Sequence, residues 1–235
     1  MHSGCNVVLF LGPPGSGKGT QACWLSNYLR VPAISTGEML RQEIRSGSPV
    51  GLAVANVLAA GQLVSDSLMN DVVANRLRHT DCHSGFILDG YPRTASQAGF
   101  LDRLLARYEL PDLRVIDFQI SGDEVIRRLG MRRQCPQCGR IASVSHEHQK
   151  LTCEQDGSTL EERPDDQPAV IRERLRVYSK VAKQLAAYYR GRQYMRVDAA
   201  RSPAEISRDV AALLTPADRR PVHTRKTRYF AVAGV

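Results

Sequence analysis

The apolar and polar positions of this chain alternate between short saturated runs and longer amphipathic stretches. Val7 to Leu11 is a run of five apolar residues that stops abruptly at Gly-Pro-Pro. It is too short for a buried helix, and its β-branched and aromatic members mark a buried strand. Ala33 to Ser35, Gly85 to Asp89, Leu113 to Ile120 and Tyr194 to Val197 read as strands as well. Helical patterns fill the gaps: Gln21 to Arg30, then Glu38 to Gly47 with Thr36 as cap and Gly47 as stop, then Val50 to Ala60 ending at Gly61. Ser67 to His79 follows Asp66, and a helix runs from Thr94 to about Tyr108. Asp123 to Met131, about Ala169 to Arg190, and Pro203 to Leu214 complete the set. Arg128 and Arg132 are four apart, which puts them on one face of a continuous helix. Alternating strands and helices with right-handed crossovers predict a doubly wound parallel α/β sheet of five strands. Two stretches interrupt the alternation. Three short helices between the second and third strands read as a helical insert, and Arg133 to Glu162 is polar, with Cys, Gly, His and Gln. No repeat and no linker divides the chain into independent domains.

A chain of 235 residues, 43% hydrophobic, suffices for one such domain with inserts. No apolar stretch approaches the ~20 residues of a membrane span. The start, MHSGCN, has no basic segment, and Val7 to Leu11 is too short for a signal core, so a cytoplasmic location is the default expectation. The net charge of +8, from 27 Arg and 5 Lys, suits polyanionic ligands. Part of it lies in residues 216–235, a basic extension that reads as a frayed tail or as one docking on the core or an anionic partner.

The first strand runs into Gly12-Pro-Pro-Gly15-Ser16-Gly17-Lys18-Gly19-Thr20 and then into helix-forming sequence. Strand, glycine loop and helix form a phosphate cradle of the P-loop NTPase type. Backbone N–H groups converge on an anion, the new helix adds its positive end, and Lys18 supplies a mobile charge. The hydroxyl comes at Thr20, one place later than usual, so a water-mediated metal is expected there. Asp89 ends the third strand at the carboxyl edge of the sheet, where P-loop enzymes organise Mg²⁺ and its waters.

Cys135-Pro-Gln-Cys138 and Cys153-Glu-Gln-Asp156 stand fourteen residues apart. Two such knuckles match a zinc ribbon with Asp156 as fourth ligand, His146 and His148 being rivals. A four-coordinate closed site is structural and stiffens a loop with too few apolar residues to fold alone. Cys5, Cys23 and Cys82 read as plain thiols.

Together, GPPGSGKGT, STGEMLR, GQLVSDSL, GFILDGYPRT, RRQCPQCG and RPDD resemble the adenylate kinase family, specifically its bacterial long form with a zinc-bearing lid. The resemblance covers about Asn6 to Leu214. It implies a core of residues 1–34, 64–131 and 168–215, an AMP-binding insert at 35–63 and a lid at 132–167 carrying the zinc ribbon, 135–156. By the same resemblance Gly15, Ser16, Gly17, Lys18, Gly19 and Thr20 hold ATP phosphates. Arg128, Arg132, Arg163 and Arg174 surround the phosphates. Thr36 and Arg41 take AMP, with the backbone of Gln62, Leu63 and Val64 near adenine. The Gly90-Tyr91-Pro92-Arg93 turn sits at the AMP phosphate, gripped by Arg93, and Gln97 takes the adenine edge. Asp89 and Asp165 serve water-mediated Mg²⁺ or lid positioning. Arg201 offers a backbone carbonyl to the ATP base. The expected cofactors are Mg²⁺ with ATP and a structural Zn²⁺. The expected state is a monomer acting on ATP, AMP and ADP, with no nucleic-acid or membrane partner.

The chemistry fits independently. The phosphate of AMP is already an anionic nucleophile at neutral pH, so no general base is needed. In-line positioning and charge neutralisation are what transfer requires. Arginine suits this because its planar fork binds phosphate bidentately and stays charged. A UMP/CMP or GTP:AMP kinase on the same scaffold is the first rival, and Thr36 and Gln97 favour adenine over it. An NTP-driven nucleic-acid-binding protein is the second. That reading needs aromatics interleaved with basic residues, and Cys135 to Asp156 has none.

Overall fold

The computed structural model describes residues 6–110, 112–144 and 151–214. His146, His148, Cys5 and the extension 216–235 lie outside the described residues. In chain order the first half comprises β1 (Asn6–Leu11), α1 (Lys18–Leu29), β2 (Ala33–Ser35), α2 (Thr36–Ser46), α3 (Pro49–Ala59), α4 (Asp66–Leu77) and β3 (Gly85–Asp89). The second half comprises α5 (Ala95–Arg107), β4 (Leu113–Gln119), α6 (Gly122–Gly130), β5 (Arg132–Gln134), β6 (Ile141–Ser143), α7 (Pro168–Tyr189), β7 (Gln193–Asp198) and α8 (Pro203–Leu214).

Five parallel strands form one sheet in the order β2-β3-β1-β4-β7. The chain winds to one side of β1 through β2 and β3, and to the other through β4 and β7. Ligands of open α/β sheets bind at such a switch point, beyond the carboxyl ends of the strands. Register aligns those ends: Phe10 and Ser35 both stand opposite Asp89.

The apolar run of β1 is sorted by the strand period. Val7, Leu9 and Leu11 enter one core with residues of α4, α5 and α7, whereas Val8 and Phe10 enter a second with residues of α1 and α8. Burial on both faces is why this strand shows no polar alternation. Of the three helices between β2 and β3, α4 buries Met69, Val73 and Leu77 in the same core as Leu9 and Leu88. Leu40 of α2 and Val54 of α3 are buried in the same core. Helices α2 and α3 pack on each other through Gly51, where an added Cβ would lie 2.1 Å from the Glu43 carbonyl oxygen.

Three local expectations are corrected. Helix α1 starts at Lys18 and not at Gln21, because Gly17, at φ 87°, turns the loop directly into the helix. Ser35, not Thr36, precedes the first turn of α2. Thr36 is the first helical residue, and its hydroxyl donates inward to the Asp89 carbonyl at 3.4 Å. Arg132 is not on a helix with Arg128: α6 ends at Gly130 and Arg132 opens β5. The chain leaves the helix there because Arg132–Gln134 pairs antiparallel with β6, and Gln134 also bridges to Glu161. That small sheet carries no apolar alternation, so its pattern does not announce it. Among the described residues no helix is long and apolar enough to cross a membrane.

Candidate active site

The loop between β1 and α1 lies against β4. An added Cβ on Gly12 would come 2.8 Å from the Phe118 carbonyl oxygen, and the φ of 136° favours glycine there. Ser16 is fully buried beneath the loop. The Lys18 ammonium donates to the carbonyls of Gly12 at 2.9 Å and Pro13 at 2.8 Å, and to the Ser16 hydroxyl at 3.3 Å. Burial pushes its pKa down to about 8. Asp89 opposes the fall, and Arg93, Arg174 and Arg132 add to it. Lys18 thus lies within electrostatic reach of one carboxylate and three arginines, a concentration of positive charge suited to anions.

The arginines of this cluster come from four separate stretches of the chain. Arg93 follows β3 and donates from Nε to the Gly90 carbonyl at 2.7 Å. Burial lowers its pKa, with Arg174 next in effect. Arg132 donates to both oxygens of Asp166, at 2.6 and 2.5 Å. Arg174, on α7, donates to Asp166 at 3.1 Å and to the Asp165 carbonyl at 2.9 Å, and pairs with the Asp165 carboxylate at 3.1 Å. Arg163 is buried, and its pKa is pushed down to about 9 by burial and then by Arg41 and Arg132. For Asp165, burial raises the pKa but Arg174, Arg41, Arg132 and Arg163 outweigh it, leaving it below the usual carboxylate range. Asp166 is fully buried. Sequence reasoning named its neighbour Asp165 and passed over it, although the RPDD motif contains both. Removing one partner of such a buried pair costs about 3–5 kcal/mol.

Arg128, expected among the phosphate arginines, and Arg201, expected beside the ATP base, lie together at another turn. Arg128 donates to Glu124 at 2.7 Å and to the Ala200 carbonyl at 3.2 Å. Arg201 points along α8 toward Asp209 at 2.5 Å and Glu205 at 3.3 Å. The two therefore meet at the 198–201 turn, joined through Ala200, and Arg128 is bonded to that turn and to Glu124 instead of to the Lys18 cluster.

A second constellation surrounds the turn after β3. An added Cβ on Gly90 would lie 3.0 Å from the Thr36 hydroxyl and 3.2 Å from Arg93 Nη2, so these three residues converge. The buried Gln97 accepts from the Arg93 backbone N–H at 2.7 Å and donates to Asp66 at 2.8 Å. Asp66 also accepts from the Thr94 hydroxyl at 2.9 Å. Tyr91, joined to Pro92 by a cis peptide, is buried and donates to Asn70 at 2.6 Å and to the Gln97 carbonyl at 3.3 Å. The hydroxyl thus fastens α4 to the turn. Gln62 donates its side chain to Glu173 on α7 at 2.5 Å, Leu63 continues toward α4, and Val64 packs on the main core. Arg41 pairs with Glu38 at 3.0 Å. Glu38 also accepts from Arg45 at 2.9 Å and faces Arg163 at 3.8 Å. Asp66 and Glu38 escaped sequence reasoning because an acidic residue in a first helical turn reads as a dipole partner.

The cysteine cluster assembles as its spacing predicts. One ligand atom each from Cys135, Cys138, Cys153 and Asp156 lies within 4.8 Å of every other. The two knuckles share one turn. The Gly139 N–H donates to the Cys135 carbonyl at 3.0 Å, and the Gly157 N–H donates to the Cys153 carbonyl at 2.9 Å. Three thiols and a carboxylate at this separation fit a tetrahedral divalent ion. The apolar support is slight: Cys135, Cys153 and Leu160 form the buried cluster there.

Comparison with known proteins agrees with this geometry. The family model described as adenylate kinase matches residues 10–194. The chain belongs to the adenylate kinase family. An adenylate kinase of Trichlorobacter lovleyi is 40% identical over 212 residues, 89% of this chain and 99% of its own length. Those of Anaeromyxobacter sp. strain K and Pseudothermotoga lettingae are 42% and 40% identical, over 79% and 88% of this chain and 88% and 97% of theirs. The chain is a phosphotransferase that interconverts ATP plus AMP with two ADP, on a five-stranded parallel sheet typical of P-loop enzymes.

Proposed function

We propose that transfer between ATP and AMP takes place at the cluster of Lys18, Arg93, Arg132, Arg163 and Arg174. An oxygen of the AMP phosphate attacks the γ-phosphorus of ATP in line. The bond to the β–γ bridging oxygen breaks, and its electron pair stays on the departing ADP. No proton moves, so no side chain needs to accept one, and the gathering of Arg132, Arg163 and Arg174 around Asp165 and Asp166, within electrostatic reach of Lys18 and Arg93, is the observation that carries this reading. Gly15 to Thr20 cradle the ATP phosphates, and the Ala200–Arg201 turn, held by Arg128, borders the ATP base. Thr36, Arg41, Arg93 and Gln97 receive AMP, with Gln62 to Val64 and the Gly90–Pro92 turn lining its base. Mg²⁺ arriving with ATP neutralises charge on the transferred group. Asp89, whose carboxylate lies 3.4 Å from where a Cβ on Gly19 would sit, is suited to orient its waters.

The segments 35–63 and 132–167 act as an AMP-binding insert and a lid that close over both nucleotides and exclude water. Cys135, Cys138, Cys153 and Asp156 hold a structural Zn²⁺ without an open position. We read the protein as a cytoplasmic monomer with no nucleic-acid partner. A coupled assay supplying each nucleoside monophosphate with Mg-ATP, on a sample whose metal content is measured, tests this. AMP should be the preferred acceptor, with about one zinc per chain, the capacity of one closed site. Preference for UMP or CMP, or for GTP as donor, would overturn the base assignment.

A further inference from the structure

The geometry points to Gln134 as a positioning residue that couples the metal knuckle to Arg163, so that metal occupancy sets phosphate affinity as well as lid stability. It rests on the proposed role of Arg163 at the phosphates. Gln134 precedes the first ligand, Cys135, on β5 and is buried. Its amide reaches three regions. Its Oε1 accepts from Arg163 Nε at 2.6 Å. Its Nε2 donates to the Gly139 carbonyl at 3.0 Å and faces the Glu38 carboxylate at 3.5 Å.

Chemistry fixes the direction of this amide. A backbone carbonyl and a carboxylate can only accept, and a guanidinium can only donate. Gly139 and Glu38 therefore hold the nitrogen, and the oxygen is left for Arg163. A flipped amide would set donor against donor and acceptor against acceptor. Gly139 is the residue after Cys138 and closes the first knuckle through its N–H bond to the Cys135 carbonyl at 3.0 Å, with φ 73°. Its carbonyl direction follows from the knuckle turn, which an ion on Cys135 and Cys138 would lock. The chain of bonds runs from knuckle to Gly139, to Gln134, to the Nε of Arg163. Engaging Nε leaves the two terminal nitrogens of that guanidinium as the face for a phosphate. Arg163 also neighbours Glu38 at 3.8 Å, so the same amide spans the 132–167 segment and α2.

The test uses the full chain, loaded with zinc or stripped by a chelator, as wild type, Gln134→Leu and Gln134→Glu. Melting temperature and the separate affinities for AMP and Mg-ATP are measured, the latter by calorimetry well below melting. Stripping should lower the melting temperature of all three proteins. In wild type it should also weaken binding of at least one nucleotide roughly ten-fold, the worth of one hydrogen bond to a charged group. Neither variant should show that second effect. Gln134→Leu removes the acceptor for Arg163, and Gln134→Glu keeps that acceptor but cannot donate to Gly139. Equal weakening in wild type and both variants overturns the coupling, and so does unchanged affinity in stripped wild type. An Arg163→Ala variant with unaltered nucleotide affinity would instead refute the phosphate role of Arg163.

Discussion

The parallel sheet and the 132–167 segment are held together by different forces. Around β1, both faces bury apolar side chains against helices, and Val8, Leu9, Phe86, Ile87 and Leu88 are all but inaccessible. Full burial of each such side chain contributes about 1.5–3 kcal/mol. In the 132–167 segment the cluster of Cys135, Cys153 and Leu160 is far smaller. What stands in place of hydrophobic burial is the cluster of four potential metal ligands and the Asp166 pairs to Arg132 and Arg174. Burial is non-directional and tolerates small shifts, whereas coordination and buried ion pairs are all-or-none. A core of the first kind is a broad platform, and a segment of the second kind hangs on a few specific bonds.

The largest effect should come from Lys18→Met, which strikes the seam between the two regions. It should lower kcat by roughly a thousand-fold or more, the scale for a preorganised charge at the reacting group. Because burial lowers the Lys18 pKa to about 8, its charged form destabilises the free enzyme at neutral pH. The unfolded chain binds more protons between pH 8 and the ordinary lysine range, so stability from this group rises with pH there. Lys18→Met should accordingly keep or raise the melting temperature. ATP affinity of the wild-type enzyme should fall as the pH rises above 8. A pH-independent affinity up to pH 9, by calorimetry, would contradict this.

Asp166→Ala comes next. It strands Arg132, while Arg174 keeps Asp165, and should cost about 3–5 kcal/mol unless the segment swings out to hydrate the guanidinium. Steady-state kinetics should show a raised KM for both nucleotides together with a reduced kcat. Leu9→Ala addresses the platform alone. It should cost about 2–5 kcal/mol in one cooperative transition, followed by denaturant unfolding, with KM nearly unchanged below the transition. Cys153→Ala addresses the other region alone. Zinc should be lost, hydrogen exchange should rise within 132–167, and some low-temperature activity should survive. If β1 and β3 lose protection equally, the two regions are one cooperative unit after all. The smallest effect belongs to Arg201→Ala, which breaks exposed pairs to Asp209 and Glu205 and should change stability by less than about 1 kcal/mol.

Legibility in the sequence followed the same divide. Saturated apolar runs announce buried strands, so all five strands of the main sheet stood where their pattern put them, with bounds moved by a residue or two. The P-loop was readable because glycines with left-handed φ have few other uses beside a Lys. The Cys135–Asp156 cluster was readable because ligand spacing is a local property of two turns. The β5–β6 hairpin was not, since polar strands held by knuckles and ion pairs carry no alternation. Arg128 and Arg132 looked like companions at helical spacing, until Gly130 ended the helix between them.

The sequence alone determined the order of the main-sheet strands and the helices between them, the double burial of β1, the glycine loop before Lys18 and the two Cys knuckles. All of these depend on neighbours within a few residues. Tertiary structure alone decided which charges meet. Asp166 between Arg132 and Arg174, Glu38 before Arg163, and Gln134 linking Gly139 to Arg163 join residues up to 125 positions apart. A surface arginine and a buried one look the same along the chain, because only the packing of distant elements fixes the dielectric and the partners each will find.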